Sequence, residues 1–135
     1  MRARHIGVVV ALVVALAGCG DERDPSIPAP KTDSQRVVDN VAAQWPLPNP
    51  RDTSSDCKDS EGDVGARCGS QVTTDAVTVT QYADAQTAQR AAERLRTLVG
   101  VTSVQAAGRF VLSWREGQEM TEEARALLVS VASSG

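Results

Sequence analysis

An uncharged run from Ile6 to Ala17 sets the first eighteen residues apart from whatever the rest of the chain folds into. It follows a short positive segment, Met1-Arg2-Ala3-Arg4-His5, and leads into the small residue Gly18 and then Cys19. A positive start, an apolar centre and a small-residue exit are the features of a secretory signal peptide. The run holds 12 residues, whereas a helix that crosses the hydrocarbon needs about 20. A permanent span is therefore not expected. A buried core helix fails on context, because a Pro- and charge-rich stretch follows directly.

The exit sequence Leu16-Ala17-Gly18-Cys19 resembles the lipobox of bacterial lipoproteins. The resemblance implies that Cys19 is joined to diacylglycerol and becomes the new amino terminus. One acyl chain holds a protein only marginally at a membrane, whereas two hold it stably, and a diacylglyceryl cysteine supplies two. The expected location is the extracytoplasmic face of the cell membrane. Residues 1–18 would be the leader, 19–32 a tether and 33–135 one domain. Arg2 and Arg4 leave with the leader and no acid does, so the formal charge moves from −3 to −5; His5, the lone histidine, leaves too. Lysine occurs twice, at Lys31 and Lys58, against twelve arginines, and Ala and Val are abundant. That style resembles lipoproteins of actinobacteria.

The length left after the leader suits one domain and not two. Cys57 and Cys68 remain as an even pair in an oxidising compartment, so a disulfide is expected between them. Its loop holds 12 residues, for which the loss of chain entropy is worth about 3 kcal/mol. No histidine or further cysteine is left to complete a tetrahedral metal site, and no cofactor is expected. The acidic balance lacks the basic footprint of nucleic-acid binding.

Gly20 to Lys31 carries three prolines and five charges in twelve residues and offers no apolar face, which makes it a semi-extended tether. At about 3 Å per residue it reaches roughly 35 Å from the membrane. Thr32 or Asp33 can cap a helix whose stripe is Val37, Val38, Val41 and Trp45, stopping by Trp45 because Pro46 follows. Pro46 to Pro50 reads as an extended wrap over the core in preference to a proline-rich ligand. Asp56, Asp59, Glu61 and Asp63 cluster in the polar stretch from Asp52 to Gly69. Their spacing departs from the EF-hand pattern, so a solvated acidic loop is preferred to a calcium site.

Gln71 to Tyr82 reads as one strand, with Val77 and Val79 alternating with Thr78, Thr80 and Tyr82. Asp84 caps a helix to about Val99, with Ala88, Ala91, Ala92, Leu95, Leu98 and Val99 inward and Gly100 as its stop. Strands over 101–107 and 109–116 form a hairpin at Gly108, with Phe110, Leu112 and Trp114 on one face. Thr121 caps a last helix with Ala124, Leu127, Leu128 and Val131 inward. The expected fold is α+β: a small three-stranded, mainly antiparallel sheet with helices on one face, partly ferredoxin-like.

No histidine base, no free thiol and no glycine-rich phosphate loop are available, so no catalytic residue is assigned. Trp45, Tyr82 and Trp114 are assigned to the core. The expected function is a non-enzymatic module that binds an envelope protein or glycan, with the 45–69 loop as its contact surface. The alternative is a small carboxylate-dependent hydrolase acting on envelope glycan, with Asp59 or Glu61 as candidate acids.

Overall fold

The computed structural model describes residues 26–135; the expected leader 1–18, the lipidation site Cys19 and the first part of the tether lie outside the described residues. No helix among the described residues is long and apolar enough to cross a membrane. The expected α+β class holds.

Helix α1 spans Asp33–Ala42, and its cap is Thr32, whose hydroxyl accepts from the Gln35 N–H at 3.2 Å. The helix ends three residues before Trp45; the Gln44 and Trp45 N–H groups both reach back to the Val41 carbonyl, which tightens the last turn. Trp45 packs half-buried against the core, and Leu47 in the following proline segment is buried. The Pro48 carbonyl accepts from the Asp75 N–H at 2.9 Å, so this segment wraps the core as expected. Lys31, within the expected tether, pairs with Asp39 at 2.6 Å.

Five strands replace the expected three, in the order β1-β2-β3-β5-β4, all pairs antiparallel. They are β1 Arg51–Asp52, β2 Ser70–Thr73, β3 Thr78–Gln81, β4 Val101–Ala107 and β5 Phe110–Arg115. The stretch read as one strand from Gln71 to Tyr82 is a hairpin. Its turn is built by Thr74, whose Oγ1 accepts from the Ala76 and Val77 N–H groups at 3.1 and 3.0 Å while the Thr74 N–H donates to the Val77 carbonyl. A threonine hydroxyl that bonds nearby backbone offers the chain an alternative to the ladder, and here the turn wins. The hairpin at Gly108 forms as expected, with Gly108 at φ 57°.

Helices cover both faces of the sheet, not one. On the first face α1 and α4, Glu122–Ser133, pack over Val72, Val79, Phe110, Leu112 and Trp114. On the second face α3, Ala85–Leu95, packs its Ala88, Ala91 and Ala92 over Val111 and Tyr82. The interior strand β5, between β3 and β4, is consequently buried on both sides from Phe110 to Trp114. Both β3 and β4 run antiparallel to β5, so they are parallel to each other with α3 as their crossover. The one-face arrangement implied by a partly ferredoxin-like sheet does not form, because α4 returns to the opposite face from α3.

Asp84 and Thr121 cap α3 and α4 as expected, accepting from the Thr87 and Ala124 N–H groups. Helix α3 stops at Leu95, four residues short of Val99. Thr97 takes over the Arg94 carbonyl with both its N–H and its hydroxyl, the latter at 2.7 Å, and closes the helix. Val99, expected in the buried stripe, is fully exposed, and Leu95, Leu98, Leu127 and Val131 are half-buried.

Candidate functional site

The two covered faces are not covered equally. On the α3 face the helix lies over β4 and β5, and the disulfide segment lies over β2. Between them part of the sheet is left open as a cleft of about 400 Å³. The disulfide segment, expected as an irregular loop, carries a short helix α2, Ser55–Lys58, and a 3-10 turn at Gly62–Val64. The expected Cys57–Cys68 disulfide is present, with Cα atoms 5.3 Å apart. Gly65 ties this wall to α3. Its φ is +67°, and a Cβ there would lie 2.9 Å from the Arg94 guanidinium.

The floor of the cleft follows from strand register. Thr73, Thr78 and Ser113 are direct cross-strand partners on β2, β3 and β5, and Gln71, Thr80 and Val111 form the next row. Residues two apart on a strand share a face, so Tyr82 continues the β3 series. Sheet hydroxyls in this setting are nearly as buried as the apolar residues on the other face: Thr78, Thr80 and Ser113 are 7%, 2% and 6% exposed.

Most of these polar groups satisfy one another. The Gln71 Nε2 donates to Thr80 Oγ1 at 2.8 Å, and Thr53 Oγ1 donates to Gln71 Oε1 at 3.0 Å. Thr53 and Thr73 share a hydrogen bond at 3.0 Å, and Thr78 Oγ1 donates to Thr73 at 3.4 Å. Two floor oxygens stand outside this chain. Among the described residues neither Ser113 Oγ nor Tyr82 Oη has a hydrogen-bond partner, although both residues line the cleft. Burial pushes the Tyr82 phenol up to about 12, so it stays a neutral O–H group.

Charge is confined to the exposed rim. Arg51 pairs with Asp75 at 3.7 Å, whereas the Arg115 guanidinium has no ion-pair partner among the described residues. From the opposite wall Asp56, Glu61 and Asp63 border the cleft. Asp59 does not; it lies beside Asp52, Ser54 and Lys58 on the outer side of α2. The Asp52 carboxylate accepts from the Ser54 hydroxyl and N–H, which lower its pKa in that order. Among the described residues no three acidic, histidine or cysteine side chains converge as a metal-binding group. The remaining wall is apolar, from Val64, Leu95 and Leu98.

A second hollow, of about 460 Å³, lies between α1 and α4. There Asp33 already holds both Arg36 and Arg109 at 3.0 Å, and Arg109 also lies 5.7 Å from the Phe110 ring centre. Its charges are already paired with one another, and its free donor is the Arg109 Nε, which is buried without a hydrogen-bond partner among the described residues.

Comparison with known proteins adds no relative. No protein-family model matches the chain, and neither the curated proteins nor the solved structures compared with it give a match. The site is therefore described by its own geometry. Of the expected contact loop 45–69, the cleft uses Arg51, Thr53 and the stretch from Asp56 to Val64, and it leaves out the proline segment. The sheet hydroxyls escaped the sequence reading. Their signal was Thr73, Thr78, Thr80 and Ser113 alternating with Val72, Val79 and Leu112, but alternation does not say that both faces are covered.

Proposed function

We propose that this chain is the precursor of a lipoprotein anchored through Cys19 at the extracytoplasmic face of a bacterial cell membrane, and that its domain binds an envelope component in the cleft and catalyses nothing. The apolar run and the Leu16-Ala17-Gly18-Cys19 sequence support the anchor. The observation that carries the binding role is the pair of unpartnered oxygens, on Ser113 and Tyr82, at the floor of a cleft whose other floor groups are satisfied. Buried polar groups are ordinarily paired, so free ones at the bottom of an accessible hollow are suited to a ligand. An anchored domain gains from this arrangement, because confinement at a surface raises the local concentration of a weakly bound partner.

The competing hydrolase reading uses the carboxylates that border the cleft, Asp56, Glu61 and Asp63. A single experiment separates the two. The purified full chain, in detergent, is titrated calorimetrically with soluble fractions of bacterial envelope, beside a Ser60→Trp variant that fills the cleft from its exposed wall. Saturable heat lost in the variant supports the binding role. Heat that is equal in both proteins, or sustained turnover abolished by Glu61→Gln, overturns it.

A further inference from the structure

The chemistry of the cleft narrows its occupant. We propose that it takes a neutral sugar, whose hydroxyls bond to Ser113 and Tyr82 while its C–H face lies against Leu95 and Leu98. This rests on the cleft being the binding site and goes on to name the ligand class.

Three features point the same way. The first is polarity without charge. By register Arg51 and Arg115 share the floor's face at its exposed ends, but every buried polar side chain there is a hydroxyl, beside the half-buried Gln71 amide. An ionised ligand group brought there would lose its hydration without meeting a counter-ion. The ionised side chains stand at the exposed rim and carry both signs: Arg51 and Arg115 against Asp56, Glu61 and Asp63. Arg51 is further neutralised by Asp75. The rim therefore holds no single sign that would select an acid or a base.

The second feature is the type of free group. A hydroxyl both donates and accepts, as does each hydroxyl of a sugar, so one Ser and one Tyr can serve a ligand in either direction. The chain of bonds from Thr80 through Gln71, Thr53 and Thr73 to Thr78 holds the neighbouring floor groups in place. Less ordering is then required when a ligand arrives.

The third is the mixed lining. A pyranose is polar around its edge and apolar on its C–H face. The cleft presents hydroxyls from the sheet and the aliphatic side chains of Val64, Leu95 and Leu98 from the walls. Its volume, about 400 Å³, falls within the roughly 300–1,000 Å³ of small-molecule sites.

The test is calorimetric titration of the full chain in detergent with four probes: glucose, N-acetylglucosamine, glucuronate and glutamate. Ser113→Ala, Tyr82→Phe, Arg115→Gln and Glu123→Gln variants are titrated in parallel, after circular dichroism has shown each to be folded. The expected result is saturable binding of at least one neutral sugar. Ser113→Ala and Tyr82→Phe should each weaken it by about two- to tenfold, the value of one lost hydrogen bond, and a Glu123→Gln control, exposed on the first turn of α4 across the sheet, should leave it unchanged. Should Ser113→Ala unfold strand β5, Leu98→Ala on its half-exposed turn is expected to weaken the same binding. Heat with glucuronate or glutamate alone, lost in Arg115→Gln, overturns the neutral-sugar assignment and leaves the cleft as the binding site. Absence of heat with all four probes overturns the assignment as well, while the Ser60→Trp comparison decides the binding role separately.

Discussion

Gln71 and Thr80 face each other across the β2–β3 pair, and the Gln71 side-chain amide donates to the Thr80 hydroxyl at 2.8 Å. This contact joins the two strands of a hairpin on the face that α3 leaves open. It also explains how a sheet tolerates buried hydroxyls: each is bonded to the next, until the series reaches Ser113 and Tyr82. The structure has spent apolar packing on one face, with Val72, Val79, Leu112 and Trp114, and left polar groups on the other.

The Cys57–Cys68 disulfide holds the wall of the cleft. We expect the Cys57→Ser, Cys68→Ser double variant to lose about 3 kcal/mol of stability. Denaturant unfolding of both proteins checks this. A variant with an unchanged midpoint would show that the wall is held by Arg94 packing on Gly65 and not by the covalent link.

Ser34 and Ser70 fasten the start of α1 to the start of β2. The Ser70 hydroxyl donates to Ser34 Oγ at 2.9 Å, and the Ser34 hydroxyl donates to the Ser70 carbonyl at 3.1 Å. Both residues are buried; Ser70→Ala leaves the Ser34 N–H without its partner, at a cost of about 1–3 kcal/mol, whereas Ser34→Ala leaves Ser70 Oγ bonded to the Ser34 N–H and Gln81 Oε1 and should cost about 0.5–1.5 kcal/mol. The double Ala variant should cost less than the sum of the singles. A double-mutant cycle that comes out additive would contradict the coupling.

How much of this was legible in the sequence depends on the kind of signal. The caps at Thr32, Asp84 and Thr121 were readable because a side-chain oxygen ahead of an apolar stripe has one local use. The Gly108 hairpin and the cysteine pair were readable for similar local reasons. The split of Gln71 to Tyr82 was hidden, because Thr73, Thr74, Thr78 and Thr80 all favour strands and the turn carries no glycine. The end of α3 was hidden by Leu98 and Val99, which continue the helical stripe in sequence while Thr97 ends the helix in space. The site was hidden for a nonlocal reason. Whether Thr78 faces a core or a cleft is decided by which helix covers which face, and only tertiary placement settles that.

Tyr82 is the single tyrosine, so its titration can be followed by ultraviolet absorbance without overlap. Burial raises its pKa from 10.0 to about 12 in the folded protein. The unfolded chain releases that proton at lower pH than the folded one does. The contribution to stability is therefore complete below about pH 10 and is lost as pH rises from about 10 to 12. A native titration midpoint near 10 would show that the phenol is open to solvent.

Cys19→Ala should abolish partitioning of the protein into the detergent phase and leave either released protein or an uncleaved precursor. Phase separation of cell extracts reads this directly. Unchanged partitioning would overturn the lipid anchor while leaving the account of the cleft untouched.

The most direct test of that account is amide chemical-shift mapping on the isotopically labelled full chain, titrated with N-acetylglucosamine. The expected shifts fall on residues 71–82, 111–115 and 56–64, with the α1–α4 face silent. Shifts concentrated around Asp33, Arg109 and Ser134, at the hollow on the opposite side of the sheet, would contradict it.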